Sequence, residues 1–120
     1  MEPADSIQRI GFRRWYERQL IRGHVWFVAG FLGMFAVAAF VEQLRLGDPL
    51  LLQLAVTAGI VAAGSLGGYG LLRYLTIMTT TLRIGEHATC RACGTYGRFS
   101  MVSPSRAHCR KCANEWLLID

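Results

Sequence analysis

Two stretches decide the reading: VWFVAGFLGMFAVAAFV, residues 25–41, and LLLQLAVTAGIVAAGSLGGYGLL, residues 50–72. Neither contains a charged side chain. As helices, these 17 and 23 residues would reach ~25 and ~34 Å at ~1.5 Å per residue, against a hydrocarbon core of ~30 Å. His24 and Trp26 suit the interface at the start of the first, and tilt absorbs the surplus of the second. Between them, residues 42–49 are short and polar. Gly47-Asp48 signals a turn, Asp48 can cap the following helix, and Pro49 suits its first turn. The spacing predicts an antiparallel transmembrane hairpin, residues 25–72.

The rest of the composition agrees. Of 120 residues, 52% are hydrophobic and 18% charged, below the roughly 25% charged of soluble domains. Twelve of the 13 basic residues lie outside residues 25–72. A soluble core would mix apolar and charged residues at helix or strand period, so this separation is a membrane pattern. The net charge of +5 divides into +2 over residues 1–24, −1 over 42–49 and +4 over 73–120. Five arginines precede the first span and Arg73 and Arg83 follow the second, while the loop has only Arg45 among Glu42 and Asp48. The positive-inside rule then predicts an integral membrane protein with both termini cytoplasmic. Tyr69 and Tyr74 would form an aromatic belt at the inner end. Ala36-Val37-Ala38 fits a small-x-small cleavage site, but the apolar run continues through Phe40 and Val41 after a long basic lead-in, so a retained span is expected. No charged side chain lies inside either span, which argues against a transporter or proton pathway.

Residues 1–24 form a basic, aromatic lead-in. Phe12, Tyr16 and Leu20 would stack at spacing four, with Arg14, Arg18 and Arg22 roughly opposite. Arg9 and Arg13 fall near the apolar stripe. The expectation is a short helix in the headgroup layer, with Arg14, Arg18, Arg22, Trp15 and Tyr16 at the membrane interface. A solvated basic helix is the alternative. In the second span, Ala55, Gly59, Ala63 and Gly67 repeat every four positions, beside a row of Gly64 and Gly68. Small residues at that spacing let helices approach closely in lipid. They form either a face for a protein partner or a second copy, or the seat of Ala29 and Gly33 of the first span. Residues 75–84 are ambiguous: Thr76, Thr79, Thr80 and Thr81 lower helix propensity, so the segment either frays or starts a strand.

The chemistry concentrates in Cys90-Arg91-Ala92-Cys93-Gly94 and Cys109-Arg110-Lys111-Cys112-Ala113. Two residues between cysteines make a turn that points both sulfurs at one ion, and two such turns supply four thiolates in a tetrahedron. Gly94 stands where such a turn often takes a left-handed backbone. Ala113 stands there in the second turn, with Asn114 expected to relieve it one position later. Tyr96, Phe99, Met101 and Val102, the turn Ser103-Pro104-Ser105, and a last strand over residues 115–119 complete the pattern. Residues 83–120 resemble a zinc ribbon, and the first turn is similar to a rubredoxin knuckle. The resemblance implies a small β module with Zn²⁺, or alternatively iron, on Cys90, Cys93, Cys109 and Cys112. Arg91, Arg98, Arg106, Arg110 and Lys111 can offset the formal −2 of four thiolates on a divalent ion. His87 and His108 are near enough to be substitute ligands, but four sulfurs already close the site. Trp116 is expected in the core or as a shield for the sulfurs.

The overall expectation is an α-helical membrane protein: a two-helix hairpin with a small C-terminal β zinc ribbon. A disulfide pair would need an oxidising compartment, and a catalytic zinc an open position. No catalytic residue is identified, so the chain is expected to be a non-enzymatic accessory or adaptor protein whose ribbon docks a partner. Its partners would be membrane lipid and a protein. A membrane-anchored one-electron carrier with iron, and a tether for nucleic acid, are the alternatives.

Overall fold

The computed structural model describes residues 2–119. They form α1 (Pro3–Ile10), α2 (Phe12–Gln43), α3 (Leu50–Glu86), β1 (Phe99–Met101), β2 (Arg106–Cys109) and β3 (Glu115–Leu117). The chain divides into two units, residues 22–76 and residues 1–21 with 77–120.

The first unit is an antiparallel helical hairpin. The apolar runs 25–41 and 50–72 lie inside the longer α2 and α3. Both helices are long and apolar enough to cross a membrane, and only 11% of the most apolar window of each is buried within the chain. Gln53 closes the turn between them, its Nε2 donating to the carbonyls of Leu46 and Asp48 at 3.0 Å each. Near the other end, Trp26 meets Tyr69 edge-on at 5.4 Å and lies under the Arg73 guanidinium. Between these ends the two backbones nearly touch. A Cβ built on Gly33 would sit 2.7 Å from Gly67 Cα, and one on Gly70 would sit 2.9 Å from Gly30 N. Gly59 faces the Phe40 ring, and the Ala63 carbonyl approaches Gly33. In the small-residue row, α2 approaches Gly59, the Ala63 carbonyl and Gly67. Ala55 remains exposed.

The second unit has a three-stranded antiparallel meander, order β1-β2-β3. One face carries Phe99, Met101 and Ala107, which are buried in one core with Ala4, Ile7, Phe12, Trp15, Ile84 and Leu118. α1 begins with Pro3 and stops at Gly11, whose φ is 85° and whose N–H donates to the Ile7 carbonyl at 2.9 Å. The break at Gly11 separates α1, which contributes Ala4 and Ile7 to the core, from α2, which contributes Phe12 and Trp15.

Three expectations are corrected here. Trp15, expected among lipid headgroups, is 3% exposed in this core, and Tyr16 is half-buried against Phe12 and Gly85. Three strands of three or four residues cannot bury enough apolar surface unaided, so residues 2–21 supply what is missing. The unit therefore extends beyond the anticipated residues 83–120, of which Asp120 lies outside the described residues. Arg14, Arg18 and Arg22 are exposed, as either reading of the lead-in requires. The threonine run is helical: α3 continues to Glu86. Ile77, Thr81 and Ile84, at spacing four and three, are buried, so packing of one helix face overrides weak propensity.

Candidate metal centre

Two hairpin tips build the site. The isolated bridge Thr89–Tyr96 closes the first around Cys90 and Cys93, and the β2–β3 hairpin carries Cys109 and Cys112. The tips repeat one hydrogen-bond pattern. Gly94 N–H donates to the Cys90 carbonyl at 2.8 Å, and Cys90 N–H to the Thr95 carbonyl at 3.0 Å. In the second tip, Ala113 N–H donates to Cys109 at 3.1 Å, and Cys109 N–H to Asn114 at 2.7 Å. Gly94 and Ala113 are both left-handed, with φ of 70° and 61°. Asn114 therefore does not take over the strained position; Ala113 occupies it, at a cost of roughly 1–2 kcal/mol. Asn114 instead aims its side-chain amide at Cys90 Sγ, 3.8 Å away.

The four sulfurs converge, all within 4.8 Å of one another. Cys90 and Cys112 are 3.4 Å apart, Cys93 and Cys109 3.6 Å. A tetrahedron with metal–sulfur bonds of ~2.3 Å has sulfur–sulfur edges of ~3.8 Å. The same distances are far beyond the ~2.0 Å of a disulfide, and all four cysteines are free thiols. The donor set thus fits one tetrahedral ion. Cys90 and Cys109 are buried, Cys93 is half-buried, and Cys112 faces solvent.

The environment of the sulfurs is uneven. The Cys90 thiol is lowered from its ordinary value, first by the Cys93 backbone N–H and also by that of Ala92, against the opposing effect of burial. Cys93 is lowered to about 6, chiefly by the Thr95 hydroxyl and then by the Thr95 backbone N–H. Its Sγ lies 3.3 Å from Thr95 Oγ1; a thiolate only accepts, so the hydroxyl donates in the ionised form. At Cys112 the Asn114 backbone N–H favours the thiolate. The neighbouring Cys90 sulfur, removal from water, and the Cys93 and Cys109 sulfurs outweigh it and push Cys112 up to about 12. Metal-free, the cluster holds protons that a divalent ion would displace.

No family model, curated protein or solved structure matches the chain. The residues themselves therefore carry the assignment. His87 and His108 are not in the cluster: His87 Nδ1 is 2.9 Å from the Arg83 carbonyl, and His108 Nδ1 is 3.5 Å from Glu115 Oε1. Trp116 packs edge-on against Phe99 at 5.7 Å and donates its Nε1–H to the His87 carbonyl at 2.7 Å, tying β3 to the end of α3. Arg91, Arg98, Arg106, Arg110 and Lys111 are all exposed. Sequence reasoning missed Thr95 as a hydrogen-bond partner of sulfur. A hydroxyl two residues after the second cysteine of a turn was the available signal.

Proposed function

We propose that this chain is a non-enzymatic integral membrane adaptor, in which a Zn²⁺ ion on Cys90, Cys93, Cys109 and Cys112 holds a small β module in shape to dock a cytoplasmic protein. The observation that carries it is the closed set of four converging sulfurs. Four thiolates complete a tetrahedron and leave no position for substrate, which suits structural zinc. The membrane part rests on two apolar helices that bury little of their surface within the chain. Residues 1–21 and 77–120 belong to one unit, so both ends of the chain belong on one side of the bilayer. The scarcity of basic residues in the loop makes that side the cytoplasm.

A second reading is favoured by the backbone N–H groups of Ala92, Cys93, Thr95 and Asn114, which favour the thiolate forms of Cys90, Cys93 and Cys112. Such donors, with solvent-facing Cys112, also suit iron in a one-electron carrier. Elemental analysis of protein purified without added metal separates the two. One zinc per chain and no reversible reduction is the expected result; a coloured, iron-loaded protein with a one-electron couple refutes the adaptor. Cys90→Ser or Cys112→Ser should release the metal and strongly destabilise the β module while the hairpin stays inserted. For topology, Gly47→Cys in intact cells should react with an impermeant thiol reagent and Asp5→Cys should not. The reverse labelling pattern overturns the orientation.

A further inference from the structure

The sheet has a second face, away from the core. Phe99, Met101, Ala107 and Cys109 are buried, and the side chains that alternate with them project outward. Three cross-strand rows follow from the register. Arg98 opposes Arg110, Ser100 opposes His108, and Val102 opposes Arg106. The Arg110 N–H donates to the Arg98 carbonyl at 3.1 Å, and the Val102 N–H to the Arg106 carbonyl at 3.1 Å, so the end rows continue the ladder. Across the next strand Arg106 opposes Leu117, and His108 opposes Glu115.

Like charges directly opposite on one face destabilise a sheet. Arg98 and Arg110 are nevertheless opposed, exposed, and without an ion pair among the described residues. Glu115, the acid on this face, already lies against His108 at 3.5 Å. Charge offset at the metal does not explain the arrangement, because alternation turns Arg98 and Arg106 to the face opposite the Cys109 side chain. Beside them, Val102 and Leu117 flank Arg106 and are 53% and 52% exposed.

We infer that this outer sheet face, centred on Arg98, Arg106 and Arg110, docks an acidic polypeptide segment with interspersed apolar side chains. Guanidinium groups pair with carboxylates through two parallel hydrogen bonds. Val102 and Leu117 supply the apolar contact that a string of phosphates would not use. The strand residues of this face include no Phe, Tyr or Trp, and the one imidazole, His108, lies against the Glu115 carboxylate, which disfavours a phosphate-bearing strand there. Tyr96, outside the strands, pairs edge-to-face with Phe12 at 5.7 Å. The inference rests on the docking reading above and names the chemistry of its partner.

The test uses the full metal-loaded chain in phosphatidylcholine nanodiscs and a fluorescein-labelled peptide of repeating Glu-Glu-Leu, with binding read by anisotropy. Arg98→Glu/Arg110→Glu should weaken binding about tenfold or more, and added salt should weaken binding to the parent protein. Arg98→Gln/Arg110→Gln, which removes the repulsion, should keep metal content and melt no lower than the parent while still losing several-fold affinity. Arg14→Gln/Arg18→Gln, which removes equal charge elsewhere, should bind as the parent does. The inference is overturned if the peptide does not bind, if the Arg98/Arg110 variants bind normally, or if the Arg14/Arg18 variant loses as much. It is equally overturned if those sheet arginines are needed instead for phosphatidylserine vesicles or oligouridine RNA while the peptide is ignored. Binding lost in Cys112→Ser but kept in the arginine variants refutes the face and leaves metal-held docking standing. Binding lost in the arginine variants but kept without metal supports the face and refutes the metal's part in docking.

Discussion

Ala113 and Gly94 occupy equivalent left-handed positions in two turns that share one hydrogen-bond pattern. The side chain at one of them is a stored strain that the other turn lacks. Ala113→Gly should therefore stabilise the β module by about 0.5–1 kcal/mol, the relief of left-handed strain less the entropy that glycine adds to the unfolded chain. Gly94→Ala should destabilise it by about 1 kcal/mol. Thermal melting of both metal-loaded variants checks the signs, and equal shifts in one direction would refute the equivalence of the turns. Thr95 gives a pH-dependent counterpart. In the metal-free protein Cys93 is lowered from 9.0 to about 6, so its contribution to stability is present above 9 and is lost as pH falls through about 6. Thr95→Val removes the first cause of that shift, so the Cys93 titration should move upward and stability should be lost at higher pH. Ultraviolet thiolate absorbance against pH reads this directly. The cysteine set was legible because spacing alone encodes a metal site. The location of the strain was not, because backbone sign at Ala113 depends on how the hairpin closes around both sulfurs.

At the scale of elements, Gly33 against Gly67 is the tightest point of the hairpin. Gly33→Leu puts its Cβ 2.7 Å from backbone atoms that cannot swing away, so the helices must part, at a cost of about 1–3 kcal/mol. Gly68, whose Cβ would meet nothing within 4 Å, should accept alanine with little change. Melting in a mild detergent should fall for the first and not for the second. The two long helices were readable as uninterrupted apolar runs, with the turn marked by Gly47-Asp48. The end of α3 was not. Its threonines favour extended backbone locally, and the burial of Ile77, Thr81 and Ile84 along one helix face, with Ile84 in the core beside Phe12 and Phe99, keeps them helical.

At the scale of the molecule, residues 2–21 and the strands form one core, which no local pattern announces. The arginines of the lead-in drew attention to its charged side, whereas the buried contacts run through Ala4, Ile7, Phe12 and Trp15. Ile7 is 2% exposed, and Ile7→Ala should destabilise the β module by about 2–4 kcal/mol. The expected readout is faster loss of metal to a chelator from cysteines more than 80 positions away in sequence. Unchanged release would separate α1 from the sheet. The shared core also carries a consequence of timing. A ribosome makes Ile7 well before Leu118. At ~5–20 residues per second, the early half of this core waits roughly 6–20 s for its counterpart. During that wait its apolar side chains stand bare, so the newborn chain is most exposed to chaperones and proteases until Leu118 emerges.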